Sequence, residues 1–241
     1  MGMGAEMLLL GIDTCGPDGS VALGRATAAG MEILGERALA GRSYSATLVT
    51  AVRELLEQEG ISLGQVDGIV AVNGPGSFTG VRVGLSAVKG LAEGQRATVT
   101  AVSRLEVLAA KAGAEAAALD AHRNEIFLRV SRAGTAWELL AGREELAAER
   151  LGEKPVGAIG VCEEAAEREL RAEWPEAELA RVDAPTAADA LRLCAARVAA
   201  GETVELALLD GNYLRRSDAE IFGGQPGGEA AGTKMQGKAR A

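Results

Sequence analysis

Residues 73–84 constrain the fold of this chain more than any other segment, because they join a strand pattern to a helix pattern through a glycine-rich turn. Their sequence is Asn-Gly-Pro-Gly-Ser-Phe-Thr-Gly-Val-Arg-Val-Gly. The apolar residues 69–72 predict a strand before the turn, and a helical pattern over 79–94 follows it. Two hydroxyl side chains stand where they could cap this helix. Backbone amides at such a turn suit either an anion or a closely packed neighbour, and the spacing leaves both possibilities open.

The glycine-rich turn matches none of three common binding or catalytic motifs. A P-loop ends in Gly-Lys-Ser/Thr, whereas the first lysine of the chain, Lys89, lies inside the predicted helix. A threonine replaces the third glycine of the dinucleotide fingerprint, and the serine directly follows a glycine, unlike in G-x-S-x-G. The turn and the end of the first strand could still form a vestigial nucleotide or anion site. Its candidate residues are Asp13, Thr14, Gly74, Gly76, Ser77 and Thr79.

Asp13 has two possible roles in that candidate site. Its carboxylate ends a predicted strand and could hold a metal-bound nucleotide. It could equally cap its own turn together with Thr14. The sequence does not decide between these roles.

The order of strand and helix patterns indicates an α/β fold that is duplicated within the chain. In the first half, strands are predicted at 8–13, 20–25, 31–38, 68–72 and 98–102, and helices at 43–59, 79–94 and 103–112. In the second half, strand patterns at 116–119, 125–130, 136–140 and 156–160 and helix patterns at 163–173 and 186–200 repeat this order. The duplication predicts two lobes of the β-β-β-α-β-α-β-α type, 7–112 and 113–216, with a cleft between them. Coincidence between short apolar runs is the alternative.

Charge and composition limit the classes of function. The net charge of −9 opposes broad binding to a nucleic-acid backbone, although a local basic patch could still exist. Three cysteines without a C-x-x-C pair fit a reducing cytosol and oppose a disulfide framework or a zinc site. The start of the chain lacks signal-peptide features and no run of about 18 uncharged apolar residues is present, so we expect a cytoplasmic protein. The glycine- and charge-rich segment 223–241 is predicted to be disordered.

The single histidine, His122, is the only candidate base for a peptidase-like arrangement, and it lies in the polar stretch 120–125. One imidazole cannot build a multi-histidine metal site, so we predict neither a metal site nor a catalytic residue. A solvated turn histidine is the alternative. Asp120 and Glu125 could form a carboxylate pair, or both could simply be solvated.

Two predicted helices in the first half carry more apolar surface than one neighbour can cover. Helix 79–94 is apolar or small on most sides, and helix 43–59 is its natural neighbour. Either both are buried in a three-layer core, or they present a surface to a partner. For the second possibility, the candidate interface residues are Tyr44, Leu48, Val52, Leu55, Val81, Leu85 and Val88.

Several segments of the chain resemble the TsaB (YeaZ) family. They are 12–14, 19–23, 74–84, 101–103 with Leu105, 119–125 and 213–215, within a span from about residue 8 to about residue 216. The block 74–84 is the most specific of them. The resemblance implies the two-lobed fold shared by actin, sugar kinases and Hsp70, the ASKHA fold. It also implies a role in making threonylcarbamoyladenosine (t6A) at position 37 of tRNA.

The resemblance further implies a role in an assembly rather than in catalysis. TsaB proteins are regarded as non-catalytic relatives of the catalytic subunit TsaD, with which they pair. The ATPase TsaE joins that pair, and TsaB alone forms a homodimer through the same N-terminal lobe. These relations imply that this chain alone binds no cofactor, and that ATP or ADP binds only in complex with its partners. They also imply that the chain contacts tRNA only indirectly.

The first long helix lacks metal-binding side chains, which agrees with this role. The catalytic relatives hold a metal with two histidines on the first long helix. In this chain Tyr44 and Leu48 stand there one helical turn apart, and neither can hold a divalent metal in the usual way. Two enzymatic alternatives remain. A phosphotransferase of the same superfamily would use Asp13 and loop 74–80 on phosphates, and a glycoprotease-like peptidase would need a metal or a nucleophile–base pair.

Overall fold

The computed structural model describes residues 6–41, 43–132, 134–147 and 157–215. The first half contains strands β1 (Met7–Asp13), β2 (Asp18–Thr27), β3 (Gly30–Ala40), β4 (Gly68–Val72) and β5 (Thr98–Val102) and helices α1 (Tyr44–Gln58), α2 (Phe78–Gln95) and α3 (Arg104–Lys111). The second half contains strands β6 (Ala116–Asp120), β7 (Ile126–Arg132), β8 (Thr135–Ala141), β9 (Ile159–Val161) and β10 (Leu179–Arg181) and helices α4 (Arg143–Leu146), α5 (Glu164–Glu173) and α6 (Ala187–Ala199). The segment 223–241, predicted to be disordered, lies outside the described residues. Of the helices described, none is both long enough and apolar enough to cross a bilayer.

The two halves share one sheet topology, which confirms the predicted duplication. The first sheet has the order β3-β2-β1-β4-β5, and the second has the order β8-β7-β6-β9-β10. In each sheet the first three strands are antiparallel, and the last two run parallel to the third. The chain thus has the predicted two-lobed α/β fold of the actin, sugar-kinase and Hsp70 type. Strand β10 and helix α4 were not predicted, because three or four residues are too few to show a period.

The chain exchanges helices between its two lobes. Helix α3, from the first half, packs on β6, β7 and β9, where Leu105 and Leu108 share an apolar cluster with Phe127. Helix α6, the last helix that the structure describes, packs on the first sheet, and its Leu191 is fully buried there. A Cβ at Gly11 of β1 would overlap α6, so the glycine permits this close contact. The predicted division between 112 and 113 therefore follows the order of the chain but not its packing.

Helices α1 and α2 pack against each other and on the first sheet, and α6 covers the opposite face. This three-layer core buries all seven predicted interface side chains, each at 7% exposure or less. The structure contradicts the prediction that these side chains contact a partner, because other parts of the protein already cover them. They are Tyr44, Leu48, Val52, Leu55, Val81, Leu85 and Val88.

The C-terminal strap, residues 210–215, connects the two lobes. On the first lobe, the backbone N–H of Asn212 donates to the carbonyl of Asn73 at 2.7 Å. On the second lobe, Nδ2 of Asn212 donates to Oε2 of Glu138 at 2.5 Å. One asparagine therefore binds both lobes at the same point.

The glycines of the glycine-rich turn allow α2 to pack tightly on the turn that follows β1. The hydroxyl of Thr14 donates to the carbonyl of Gly80 at 2.7 Å. A Cβ at Gly76 would overlap the carbonyl of Cys15, and a Cβ at Gly80 or Gly84 would overlap Thr14. Of the two roles left open by the sequence, close packing accounts for these glycines.

We predict that Gly80→Ala destabilises the protein by about 1–3 kcal/mol, because the new methyl group must displace the backbone of Thr14. Gly90→Ala is the matched control in the same helix, since a Cβ there meets no atom within 4 Å. We expect the control to be as stable as the parent or up to about 1 kcal/mol more stable. Urea denaturation followed by circular dichroism measures both changes. Equal effects of the two substitutions would contradict the packing role.

Candidate functional site

A cleft of about 1120 Å³ opens between the two lobes. Residues 15–17, after β1, and residues 75–81, at the start of α2, line its first-lobe side. Residues 119–123, after β6, line its second-lobe side together with Glu163, and part of the strap borders it. Strands β1 and β6 are the central strands of the two sheets, so the turns that follow them occupy equivalent positions in the duplicated fold. The cleft therefore lies between the equivalent ends of the two sheets. Such a cleft is the natural place for a binding site.

A buried ion pair lies beneath the first-lobe side of the cleft. Asp13 ends β1 and Arg104 begins α3, and each residue is 2% exposed. Nε of Arg104 lies 3.4 Å from Oδ2 of Asp13, and the backbone N–H of Cys15 donates to Oδ1 of Asp13 at 2.8 Å. Burial acts to lower the pKa of Arg104, but the neighbouring acidic groups, Asp13 foremost among them, together outweigh burial and the net shift is upward. The guanidinium therefore stays charged and neutralises the carboxylate.

This ion pair changes the role expected for Asp13. Both of its carboxylate oxygens already have partners, Arg104 and the N–H of Cys15. Of the two roles left open by the sequence, the structure thus shows the turn-capping one, and a role in holding a metal-bound nucleotide stays a prediction. Of the other candidates for the nucleotide or anion site, Gly76, Ser77 and Thr79 line the cleft, whereas Thr14 and Gly74 are not part of its lining.

The hydroxyl of Ser77 caps α2, as one of the two expected caps. Its Oγ accepts from the backbone N–H of Gly80 at 3.2 Å. The backbone N–H of Ser77 donates to the carbonyl of Cys15 at 2.8 Å. Two amide donors at this end of the helix are therefore already satisfied inside the protein, which leaves fewer for an anion.

The turn on the second-lobe side is built around Asp120. Its Oδ1 accepts from the backbone N–H of His122 at 2.8 Å, its Oδ2 lies 2.8 Å from Nδ1 of His122, and its own N–H donates to Glu163. His122 is largely exposed, and within the described chain no hydroxyl or thiol hydrogen-bonds to it. This arrangement is that of a solvated turn histidine. Glu125 pairs with Arg215 of the strap, so the carboxylate pair considered for Asp120 and Glu125 does not form.

Three successive residues of this turn adopt left-handed backbone conformations. The φ angles of His122, Arg123 and Asn124 are 60°, 59° and 61°. This region is disfavoured for residues other than glycine, and consecutive examples are unusual. The hydrogen bonds around Asp120 hold the turn in this shape.

Two further groups at the cleft are kept in their neutral forms. Burial, with the charge of Asp13, raises the pKa of the Cys15 thiol well above its usual range. The hydroxyl of Tyr44 donates to the carbonyl of Gly16 at 2.9 Å, and burial together with nearby carboxylates raises its pKa to about 12. Neither group is suited to act as a nucleophile near neutral pH.

Sequence patterns did not reveal Arg104, the residue that neutralises Asp13. It follows the matching segment 101–103, and a charged residue at a helix start is normally assigned to the surface. A cation at the first position of a helix is nevertheless disfavoured, because the helix dipole places positive charge there. That conflict is the signal in the sequence that could have indicated a special role for Arg104.

We predict that Arg104→Met destabilises the protein by about 3–5 kcal/mol, because it leaves the carboxylate of Asp13 buried without its cation. The double variant Arg104→Met with Asp13→Asn should recover most of this loss, since a neutral amide removes the unpaired charge. Guanidinium denaturation of the parent, both single variants and the double variant gives the coupling energy. Additive losses in the double variant would show that the pair does not act as a unit.

We expect Cys15 to react with iodoacetamide at pH 8 more slowly than Cys162, because Cys15 is only 1% exposed and burial raises the pKa of its thiol. Cys162 is the matched control, since it is half-buried and its pKa is raised to about 11. Peptide mass spectrometry of the native protein measures both rates, and unfolding should make them equal. Preferential labelling of native Cys15 would instead indicate an activated nucleophile in the cleft.

Comparisons with known proteins agree with this architecture. The family model for TsaD, tRNA N6-adenosine threonylcarbamoyltransferase, matches residues 38–204. The TsaB protein of Haemophilus influenzae, named for tRNA threonylcarbamoyladenosine biosynthesis, is 40% identical over 95 residues, which are 37% of this chain and 40% of that protein. A tRNA N6-adenosine threonylcarbamoyltransferase of Syntrophobacter fumaroxidans is 38% identical over 68 residues, 28% of this chain and 20% of that enzyme. The chain thus spans less than half the length of these curated relatives.

A solved structure extends the similarity across both lobes. YeaZ from Pseudomonas aeruginosa superposes with a TM-score of 0.68 at 29% identity, over 86% of this chain and 100% of that chain. The TsaD family model covers well over half of the present sequence. The protein therefore belongs to the TsaD family, and within it to the TsaB (YeaZ) group.

Proposed function

We propose that this chain is a non-catalytic subunit of the machinery that transfers a threonylcarbamoyl group to adenosine 37 of tRNA, where it activates a TsaD-type catalytic subunit. Membership of the TsaB group supports the role in t6A synthesis. The ion pair between Asp13 and Arg104 is the observation that carries the non-catalytic role, because it removes the free carboxylate from the end of β1. The neutral Cys15 and Tyr44 add no nucleophile.

The first helix supports the same role. Tyr44 and Leu48 stand where the catalytic relatives are expected to carry two metal-holding histidines. Both side chains lie in the core, and the Tyr44 hydroxyl is bonded to the carbonyl of Gly16. Because core side chains stand where the catalytic relatives are expected to have metal ligands, this helix favours a role in assembly over a role in catalysis.

The proposed docking surface is the outer face of α1 and α2. On α1, Val49 is 58% exposed, and Ala46 beside it is also exposed. On α2, Val83 and Ala87 are half-buried and one helical turn apart. Because the two helices pack side by side, their exposed apolar and small residues can receive two helices of a partner at close range. The seven buried residues support this surface from beneath and do not contact the partner.

The proposal includes the remaining relations implied by the family. A TsaE-type ATPase joins the pair, ATP or ADP binds only in the assembled complex, and the same face forms a homodimer when the catalytic subunit is absent. The machinery acts in the cytoplasm.

Reconstitution tests the proposed function. The purified chain, a TsaD-type subunit and a TsaE-type ATPase are combined in all subsets with unmodified tRNA and a threonylcarbamoyl donor, and t6A is measured by nucleoside mass spectrometry. We expect no t6A from the chain alone and full activity only with all three proteins. Modification by the chain alone would contradict the non-catalytic role and support an enzymatic one. Full activity without the chain would remove its proposed role.

A single substitution on the outer face of α1 should prevent assembly. We predict that Val49→Glu weakens binding to the TsaD-type subunit at least tenfold, about 1.4 kcal/mol, because it places a charge in an apolar contact. The variant should keep the parent circular dichroism and melting temperature, since Val49 is exposed. Light scattering and calorimetry measure the association.

Two controls accompany Val49→Glu. Ala136→Glu changes an exposed residue of β8 on the other lobe and should bind the partner normally. Leu48→Glu changes a core residue and should unfold the protein itself. Normal assembly by the Val49 variant would place the partner on another face.

A further inference from the structure

Two exposed aromatic rings meet at the mouth of the cleft. Phe78 is the first residue of α2 and Tyr213 belongs to the strap, and their ring centroids are 5.2 Å apart with planes inclined by 53°. Phe78 is 40% exposed and Tyr213 is 39% exposed. The chain is poor in aromatic residues, and Phe127 and Trp174 are buried in its cores. Two of the few aromatic residues of this chain are therefore exposed and in contact with each other at the surface, which is unusual.

A guanidinium extends this aromatic surface. Cζ of Arg82, one helical turn after Phe78, lies 3.8 Å from the centroid of the Phe78 ring. Within the part of the chain that the structure describes, Arg82 has no carboxylate within ion-pair distance. Its charge is therefore not compensated locally. We call Phe78, Arg82 and Tyr213 the aromatic platform.

Positive groups lie beside the platform although the chain as a whole is acidic. The start of α2 contributes the positive end of a helix dipole beside the rings. The two carboxylates in the cleft lining, Asp120 and Glu163, are already engaged by the N–H groups and the imidazole of the β6–β7 turn. Hydrogen bonds leave the charges of these carboxylates in place, so the positive groups that favour an anionic ligand are those at the platform itself, Arg82 and the start of α2.

We infer that the aromatic platform binds an unpaired nucleobase of tRNA, a step that rests on the proposed function. Bases stack on aromatic rings and on guanidinium planes, and a nearby cation attracts the phosphate of the same nucleotide. The platform supplies both kinds of surface at one point. Direct contact with single-stranded RNA replaces the indirect contact expected from the family and from the net charge of −9.

The position of the platform connects it to the proposed assembly. Phe78 and Arg82 lie on the first turns of α2, and the docking surface uses Val83 and Ala87 of the same helix. A base held at the platform would thus lie beside the bound catalytic subunit. Phenylalanine, tyrosine and arginine also occur at protein interfaces, so a contact with the partner protein is the competing occupant. The guanidinium of Arg82, for which no described carboxylate forms an ion pair, favours RNA.

The test measures RNA affinity of the full chain in complex with its TsaD-type subunit. The probes are a labelled oligoadenylate of about ten nucleotides, its duplex with oligouridylate, and an unmodified tRNA. We expect Phe78→Ala and Tyr213→Ala each to weaken binding of the single strand and of tRNA roughly 5- to 150-fold, and binding of the duplex much less. Arg82→Ala should reduce both affinity and its dependence on salt. Trp137→Ala, which removes the exposed ring on β8, is the matched control and should change nothing.

The outcomes separate this inference from the proposed function. Circular dichroism and light scattering first establish that each variant is folded and assembled, and Phe78→Tyr should retain RNA binding if the ring is what matters. Unchanged single-strand and tRNA affinity in the folded alanine variants would overturn the inference. Loss of assembly at unchanged RNA affinity would overturn it as well, since the platform would then be a protein contact. If t6A formation requires the chain but its KM for tRNA is unaffected by Phe78→Ala and Tyr213→Ala, only the inference fails and the proposed function stands.

Discussion

The region around the cleft depends on the buried ion pair between Asp13 and Arg104. A carboxylate without a partner at that depth would cost several kcal/mol, and a cation at the start of α3 would be disfavoured by the helix dipole. Each group removes the penalty of the other. Because α3 packs on the second sheet while β1 is the centre of the first, the pair also links the two lobes. The same ion pair thus neutralises Asp13 and holds the two lobes together.

Three further features hold the lobes in one arrangement. Helix α6 crosses back to the first sheet, the strap binds both lobes through Asn212, and Arg215 of the strap pairs with Glu125 at the cleft. Many two-lobed enzymes open and close around their substrates. Here, opening the cleft would have to break the ion pair and the strap contacts together. A fixed junction of this kind suits a subunit that presents constant surfaces to its partners.

The sequence predicted the parts of this fold that depend on local periodicity. Strand and helix patterns indicated the duplicated order, and the two sheets repeat it with the same topology. The glycine-rich turn was recognised as a close approach or a ligand loop, but the choice required the position of Thr14, which is distant in the chain. The helix exchange was not predictable, because the apolar stripe of α6 shows that one face is buried without showing which sheet covers it.

The same limit explains the misplaced interface. The apolar spacing of Leu48, Val52 and Leu55 correctly marked one face of α1, but an apolar face is equally consistent with a core and with a contact surface. The structure assigns it to the core, and the outer face is marked instead by the isolated Val49. Arg104 was missed for a different reason, since its partner Asp13 lies about ninety residues away along the chain and no periodic signal connects them.

One helical segment carries two different constraints, and its period explains how. Gly80 and Gly84 are four residues apart and face the turn at Thr14, where only glycine fits. Phe78 and Arg82 are also four residues apart, and the offset of two residues places them about half a turn away, on the exposed side. Residues 74–84 are therefore distinctive because one face is fixed by close packing and the other presents the aromatic platform. If only one face were constrained, the opposite side of the helix would tolerate a much wider range of residues.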